Sequence, residues 1–547
     1  MVELLGIFGF LVVLLRAAIL CLQTVTVGGV LFLLVVARAS ELRSEEFLSS
    51  SWRLIRSCAL GLAFAQLFFV ITNSLVLTAS AEVRIRDVLG ANFVWAGAVA
   101  VVAALALAAW PAALRKTVSP LTLLPAGLIV AASVMTSHAE SRVDNRLMLV
   151  SCTALHYLAT ASWIGGLPYL LLSAKHTADR QAKSQIMRNF SRLAQASVAV
   201  LFLAGFAMSL VYVGSWAAMY GTAYGVMLGA KIAMFLVLVL LGAANFYIVR
   251  GLGTDSAGTG ATSLLRFGEV EIGIGLTVIL TAASMTAQPP GVDLPEDRVT
   301  LHEIAERFAP RMPRFSSPQI TQISQSTEQR TKEAAAEGKK LPAAFIPGDS
   351  GFNTNSPADI AWSEYNHNCA GFVVFLMGIL ALLSRSRYFG WAKIWPLTFL
   401  LLAVFLFFRA DPENWPMGPN GFWESFSQAD VLQHRVAVVL IIVFAVFQYR
   451  VETNRVKSMA AALVFPAVCA LGGVVLLTHT HAVTNIKEEL LAELSHTPLA
   501  LFGIMAGWSR WLELRLPAEN PKRKYLAWVW PVCFIMVGLI LMDYHES

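Results

Sequence analysis

The sequence predicts an all-α polytopic membrane protein with about fourteen transmembrane helices in an 8 + 6 arrangement. Three observations carry that expectation. The 547 residues are 56% hydrophobic and only 14% charged, whereas soluble domains carry roughly 25% charged residues. The apolar residues come in runs approaching about 20 residues, enough to cross a ~30 Å hydrocarbon layer at about 1.5 Å per residue. Basic residues then alternate between successive short loops, as they do when a chain is threaded repeatedly through a bilayer.

In chain order the apolar runs place spans at 8–38, 53–79, 91–113, 119–137, 147–174, 190–214, 222–249 and 266–287, then at 362–384, 391–409, 431–449, 459–480, 496–515 and 525–543. The first begins almost at Met1 and shows no small-residue cleavage site, so it reads as a retained span rather than a signal peptide. One set of loops holds Arg38, Arg43, Arg53, Arg56, Arg115, Lys116, Lys175, Arg188, Arg250, Arg385, Arg387, Arg450, Arg455, Arg515 and Lys522, among others. The opposite short loops hold only Arg84, Arg86, Arg142, Arg146, Arg409 and Lys487. That bias puts the first set in the cytoplasm and both termini outside. The net charge of +6 is therefore a matter of topology and predicts membrane lipid, not nucleic acid, as the surrounding partner.

Residues 288–361, rich in Pro, Ser, Gln, Glu and Lys, interrupt the apolar pattern. They divide the chain into an eight-helix module at 1–287, a periplasmic linker at 288–361 and a six-helix module at 362–547. Within the first module, Val27–Gly28–Gly29–Val30 parallels Ile164–Gly165–Gly166–Leu167, and Ala131–Ala132–Ser133–Val134–Met135–Thr136 parallels Ala282–Ala283–Ser284–Met285–Thr286. These pairs suggest a 4 + 4 parallel repeat, although short apolar matches also arise by chance.

Several kinds of chemistry have no sequence support. The six cysteines form no CxxC or CxxCH, so a dithiol motif and covalent haem attachment are both unsupported. Neither a phosphate-binding Gly-Lys-Ser/Thr loop nor an aspartyl-phosphate motif occurs, which argues against ATP-driven pumping.

Seven of the ten histidines, His138, His156, His367, His434, His479, His481 and His496, sit near span ends on the same predicted outer side. Imidazole is rare at membrane depth, so a one-sided set points to a metal, cofactor or proton site. In the fifth span Met148, Cys152 and His156 are spaced i, i+4, i+8, putting a thioether, a thiol and an imidazole along one side of a helix. Met135 and His138 lie one short loop away. Such soft donors suit copper, especially Cu(I), but the same spacing describes an ordinary packing stripe. Lys231, inside the seventh span, needs a partner, a wet cavity or room to snorkel, and Arg16 in the first span is expected to reach the outer interface. In the second module His367 opens the ninth span three residues after Glu364, His434 opens the eleventh, His479 and His481 close the twelfth, and His496 opens the thirteenth. These donors could converge on copper or, as paired axial ligands, on haem b. Alternatively the second module is a docking platform in which they are incidental.

Residues Leu155–His156–Tyr157–Leu158–Ala159–Thr160–Ala161–Ser162–Trp163–Ile164–Gly165–Gly166–Leu167 resemble the CopD/PcoD copper-resistance family of bacterial inner-membrane proteins. The likeness takes in Ser137–His138–Ala139, Phe190–Ser191–Arg192–Leu193, Gly214–Ser215–Trp216, Gly221–Thr222–Ala223–Tyr224–Gly225 and Lys231; Ala223 stands where the family usually has Pro. It covers roughly 1–290, and 357–516 looks like the extension of longer members. The resemblance implies copper handling together with a periplasmic CopC-type partner.

Overall fold

The computed structural model describes residues 2–40, 44–80, 84–111, 119–177, 179–251, 259–286, 288–295, 298–319, 357–412, 414–427, 429–478 and 487–546. Every regular element among them is helical. Among the described residues ten helices are long and apolar enough to cross a membrane, and two further apolar helices, Asn92–Ala108 and Pro120–Met135, are shorter. Large apolar side chains such as Phe64 (72% exposed) and Leu240 (71%) project outward along them. So much outward apolar surface is untenable in water and ordinary in lipid, so the chain is a multi-pass, all-α membrane protein.

The chain divides into two compact units, one of residues 1–296 save Gly221–Ala223, the other of those three residues and Asp297–Ser547. In the first unit the long helices are α1 (Val2–Leu31, continued by a π-helical turn Phe32–Ala37), α2 (Glu45–Ser80), α3 (Asn92–Ala108), α4 (Leu123–Met135) and α5 (Arg146–Trp163). They continue as α6 (Leu167–His176), α7 (Arg180–Tyr212), α8 (Ala223–Gly251) and α9 (Thr259–Met285). α1 is the hub, packing against α2, α4, α5 and α9. Its most apolar stretch is 67% buried, against 17% for α7 and α8, whose outer faces are left for lipid.

Small residues let the helices of this unit come close. Ala59, Ala63, Ala103, Ala104 and Ala126 fill one core of α1–α4. At the α1–α5 crossing a Cβ on Gly28 would stand 2.3 Å from the Ala161 carbonyl oxygen, and one on Gly165 would stand 2.0 Å from that of Thr24. The chain turns between α5 and α6 at the same place. Arg16, expected at the interface, is instead buried and donates to the Thr136 hydroxyl and carbonyl oxygen, both at 3.0 Å. Capping the end of α4 satisfies its guanidinium inside the unit, so it has no need to snorkel.

The second unit contains α10 (Pro357–Leu383), α11 (Thr398–Arg409), α12 (Ala429–Glu452), α13 (Val464–Thr478), α14 (Lys487–Arg515) and α15 (Lys522–Met542). α10 packs on α15 through Gly371, Gly378 and Gly538, where added Cβ atoms would approach backbone to 2.6, 2.7 and 2.4 Å. Trp395, Phe465 and Trp530 form its aromatic centre, with centroids 5.0–5.4 Å apart. At one end Arg385 and Arg510 both pair with Glu513, at 2.8 and 2.7 Å, and Trp530 Nε1 donates to the same carboxylate at 3.1 Å.

Candidate functional site

In the first unit Leu149 and Val150 near the start of α5 pack with Tyr212 of α7, Met227 of α8 and Met285 of α9. α5 and α7 pack along their length, and Gly205 on α7 leaves room beside the His156 ring. His138 follows the end of α4, its ring 6.5 Å from that of Tyr212 and hydrogen-bonded to the Met285 main chain. Burial first, and the Arg16 guanidinium second, hold His138 below the ordinary histidine range, so it stays neutral and able to donate a lone pair. His138 Nε2 and His156 Nδ1 are both buried and lack hydrogen-bond partners, a state that normally costs free energy. Beside His138, Met227, Met285, Tyr212 and Tyr224 form a buried cluster, with Met208 and Met219 packed against it. The Thr153 hydroxyl lies 3.4 Å from Met208 Sδ.

Of the residues expected from sequence, His138 and His156 point nitrogens inward, and Cys152 is half-buried within electrostatic reach of Tyr212. Met135 and Met148 do not join them: they are 45% and 39% exposed. The helical pitch explains Met148, because eight residues at about 100° each leave it about 80° around α5 from His156. Thioethers came instead from α7, α8 and α9. Met208 and Met285 were missed because their apposition depends on tertiary packing, although Met285 lies in one of the repeated segments. Among the described residues no three His, Cys, Asp or Glu side chains converge as a metal set. Two imidazoles with methionine sulfurs are a soft-donor environment suited to Cu(I) rather than to a hard cation.

In the second unit His367 and His496 do approach, with centroids 6.0 Å apart, but both face Tyr544, at 4.0 and 5.9 Å. His367 Nδ1 bonds the Ser363 carbonyl at 2.8 Å. Tyr544 donates to Glu546 at 3.0 Å and carries Arg307 over its ring at 4.8 Å. Burial pushes its phenol up, away from ionisation. Glu364 is engaged by Arg314 Nε and by the Glu546 amide, both at 3.2 Å. His434 bonds Asp411 at 2.7 Å instead of joining the other histidines. His479 and His481 lie outside the described residues. Haem b fits this arrangement poorly, because Tyr544 occupies the space into which a porphyrin between His367 and His496 would spread.

One functional candidate was not foreseen. Glu271 on α9, 2% exposed, accepts hydrogen bonds from Trp163 Nε1 at 3.2 Å and from the Asn245 amide. It lines a cavity of 290 Å³ with Trp163, Phe190, Gln195, Val239 and Asn245. The available signal was a second carboxylate, two residues past Glu269, inside the eighth apolar run; its partners, on other helices, gave none.

Residues 184–285 match the family model described as "Copper resistance protein D" (CopD). "Copper transport protein CutJ" of Bacillus subtilis (strain 168) is 30% identical over 166 residues, which are 30% of this chain and 29% of the relative. The chain thus aligns with under a third of that relative's length. No solved structure matches.

Proposed function

We propose that this chain, which carries a membrane segment of the CopD copper-resistance family, binds copper and transfers it across or at the bacterial inner membrane in copper homeostasis or resistance, without ATP hydrolysis. The observation that carries the reading is that two imidazole nitrogens are buried and unpartnered, His138 Nε2 beside the methionine cluster and His156 Nδ1 beside Gly205. A cuprous ion would satisfy such a lone pair, and the methionine thioethers would supply further soft donors beside His138. The CopD match overlaps α7, α8 and α9, which supply Met208, Met227 and Met285. Loop charge assigns this end of the helices to the periplasm, where a CopC-type copper-binding protein would hand over its ion. His367, His496 and Glu364 have a structural role in this reading, tying the C-terminal residues to α10.

Elemental analysis and an absorption spectrum of the purified full chain test the proposal. Copper without a Soret band is expected, together with loss of copper in His156→Ala but not in His176→Ala. His176 bonds Ser50 and Glu46 on α2, away from the methionine cluster. Equal copper in both variants, or a Soret band, would overturn it.

A further inference from the structure

We propose that the cavity around Glu271 is a second binding site, for a hard monovalent cation (sodium or a hydrated proton), distinct from the soft-donor copper site. Several independent features point to a cation. Glu271 is the one ionisable residue among those lining the cavity. The nearest charges on its own helix, Arg266 and Glu269, pair with each other. Its two hydrogen bonds come from neutral donors, Trp163 and Asn245, which orient a carboxylate without neutralising it. The Asn245 Oδ1 atom is buried with no donor. Glu271 and Asn245 thus line one cavity whose lining holds no positively charged residue. A carboxylate left this way at membrane depth is costly, and such residues typically belong to ion or proton pathways.

The donor chemistry selects the class of ion. Carboxylate and amide oxygens are hard and suit sodium or hydronium, whereas Cu(I) prefers the sulfur and imidazole at the other site. One negative charge matches one positive charge. A cavity of 290 Å³ leaves room for an ion with part of its water shell. Glu271 lies five residues, about 7.5 Å along α9, beyond Arg266, which loop charge assigns to the cytoplasmic side of the span. Trp163, which holds Glu271, is on α5 seven residues from His156, on the same face and about 10 Å along the axis. One rigid helix thus touches both sites, and occupancy of the cavity would act on the copper site through α5. Cation binding stands on the cavity alone; its role as the coupling ion for copper movement rests on the copper reading.

The test follows the thermal unfolding midpoint of the full-length purified protein in sodium chloride and in choline chloride of equal ionic strength, at several pH values. If sodium is the ion, wild type gains a saturable rise in Tm with sodium that Glu271→Gln lacks. If the ion is a proton, sodium has no effect and the pH response of wild type differs from that of Glu271→Gln by the titration of one group. Identical responses to both sodium and pH in the two proteins would overturn the proposal. The elution profile serves as the folding control: Glu271→Gln should run as a single species like wild type. Copper missing from both would defeat the copper reading and leave the cation result standing. Should Glu271→Gln fail to fold, Asn245→Ala, which removes the orphan acceptor and keeps the charge, should weaken the response; an unchanged response would overturn the site.

Discussion

Gly205 leaves space beside His156: a Cβ placed on it would stand 3.8 Å from His156 Cε1 and 3.9 Å from Nδ1. These are ordinary contact distances, so Gly205→Ala should fold, helped by up to ~1 kcal/mol of helix propensity. Gly205→Leu carries further carbons into the volume next to Nδ1. Copper affinity should then fall by about tenfold or more, ~1.4 kcal/mol, in a protein that still elutes as a single species. Titration against a cuprous chelator measures this, and wild-type affinity in Gly205→Leu would remove His156 Nδ1 from the donor set.

Arg16 should set the acid limit of copper retention. Burial and Arg16 both lower the His138 pKa, so its neutral, ligand-competent form persists below the ordinary value of about 6.5. A lowered histidine pKa also means that the stability it confers is complete above about pH 6.5 and is lost as pH falls through the folded value. Arg16→Gln removes one of the two main causes and moves that value up. Copper release on acidification should therefore begin at a higher pH in the variant. Release curves that superimpose would show that His138 does not limit binding.

The helices were legible because a bilayer imposes length and apolarity on each crossing segment, and those are properties of contiguous residues. The site was legible only where a single helix carried it. His156 was visible as a candidate within the family-like stretch Leu155–Leu167. The 80° drift that turns Met148 away follows from pitch, but its cost depended on where α7 would lie. Asp411, 23 residues before His434, shows no periodic relation to it, so the ion pair that withholds His434 was invisible. Glu271 stood out as a charge in an apolar run, whereas Trp163, 108 residues earlier, could be joined to it only by packing.

The diglycines at 28–29 and 165–166, compared above as sequence parallels, meet at the α1–α5 crossing. A methyl on Gly28 would meet the Ala161 carbonyl oxygen at 2.3 Å, and one on Gly165 would meet backbone at 2.0 Å. Backbone cannot swing aside as a side chain can, so each alanine substitution should cost at least the ~1–3 kcal/mol typical of overpacking. Gly127→Ala is the matched control, since nothing lies within 4 Å of its added Cβ. Detergent-extracted yield and Tm should fall for Gly28→Ala and Gly165→Ala and hold for Gly127→Ala. Equal stability in all three would mean that the crossing is looser than described.

Glu364 separates a structural role from a ligand role in the second unit. Its side chain is 9% exposed and that of Arg314 is 45% exposed. Breaking a fully buried pair costs ~3–5 kcal/mol, but the exposed arginine keeps its solvation, which brings this pair toward the ~1 kcal/mol of surface bridges. The acceptor for the Glu546 amide is the larger loss, because that contact helps hold the chain end on α10. Glu364→Gln retains one carbonyl oxygen and should be mild, whereas Glu364→Ala should free the C-terminal residues to carboxypeptidase digestion. Neither should change bound copper, because the proposed copper donors belong to the first unit. Loss of copper in Glu364→Ala with the C-terminus still protected would instead make Glu364 a ligand.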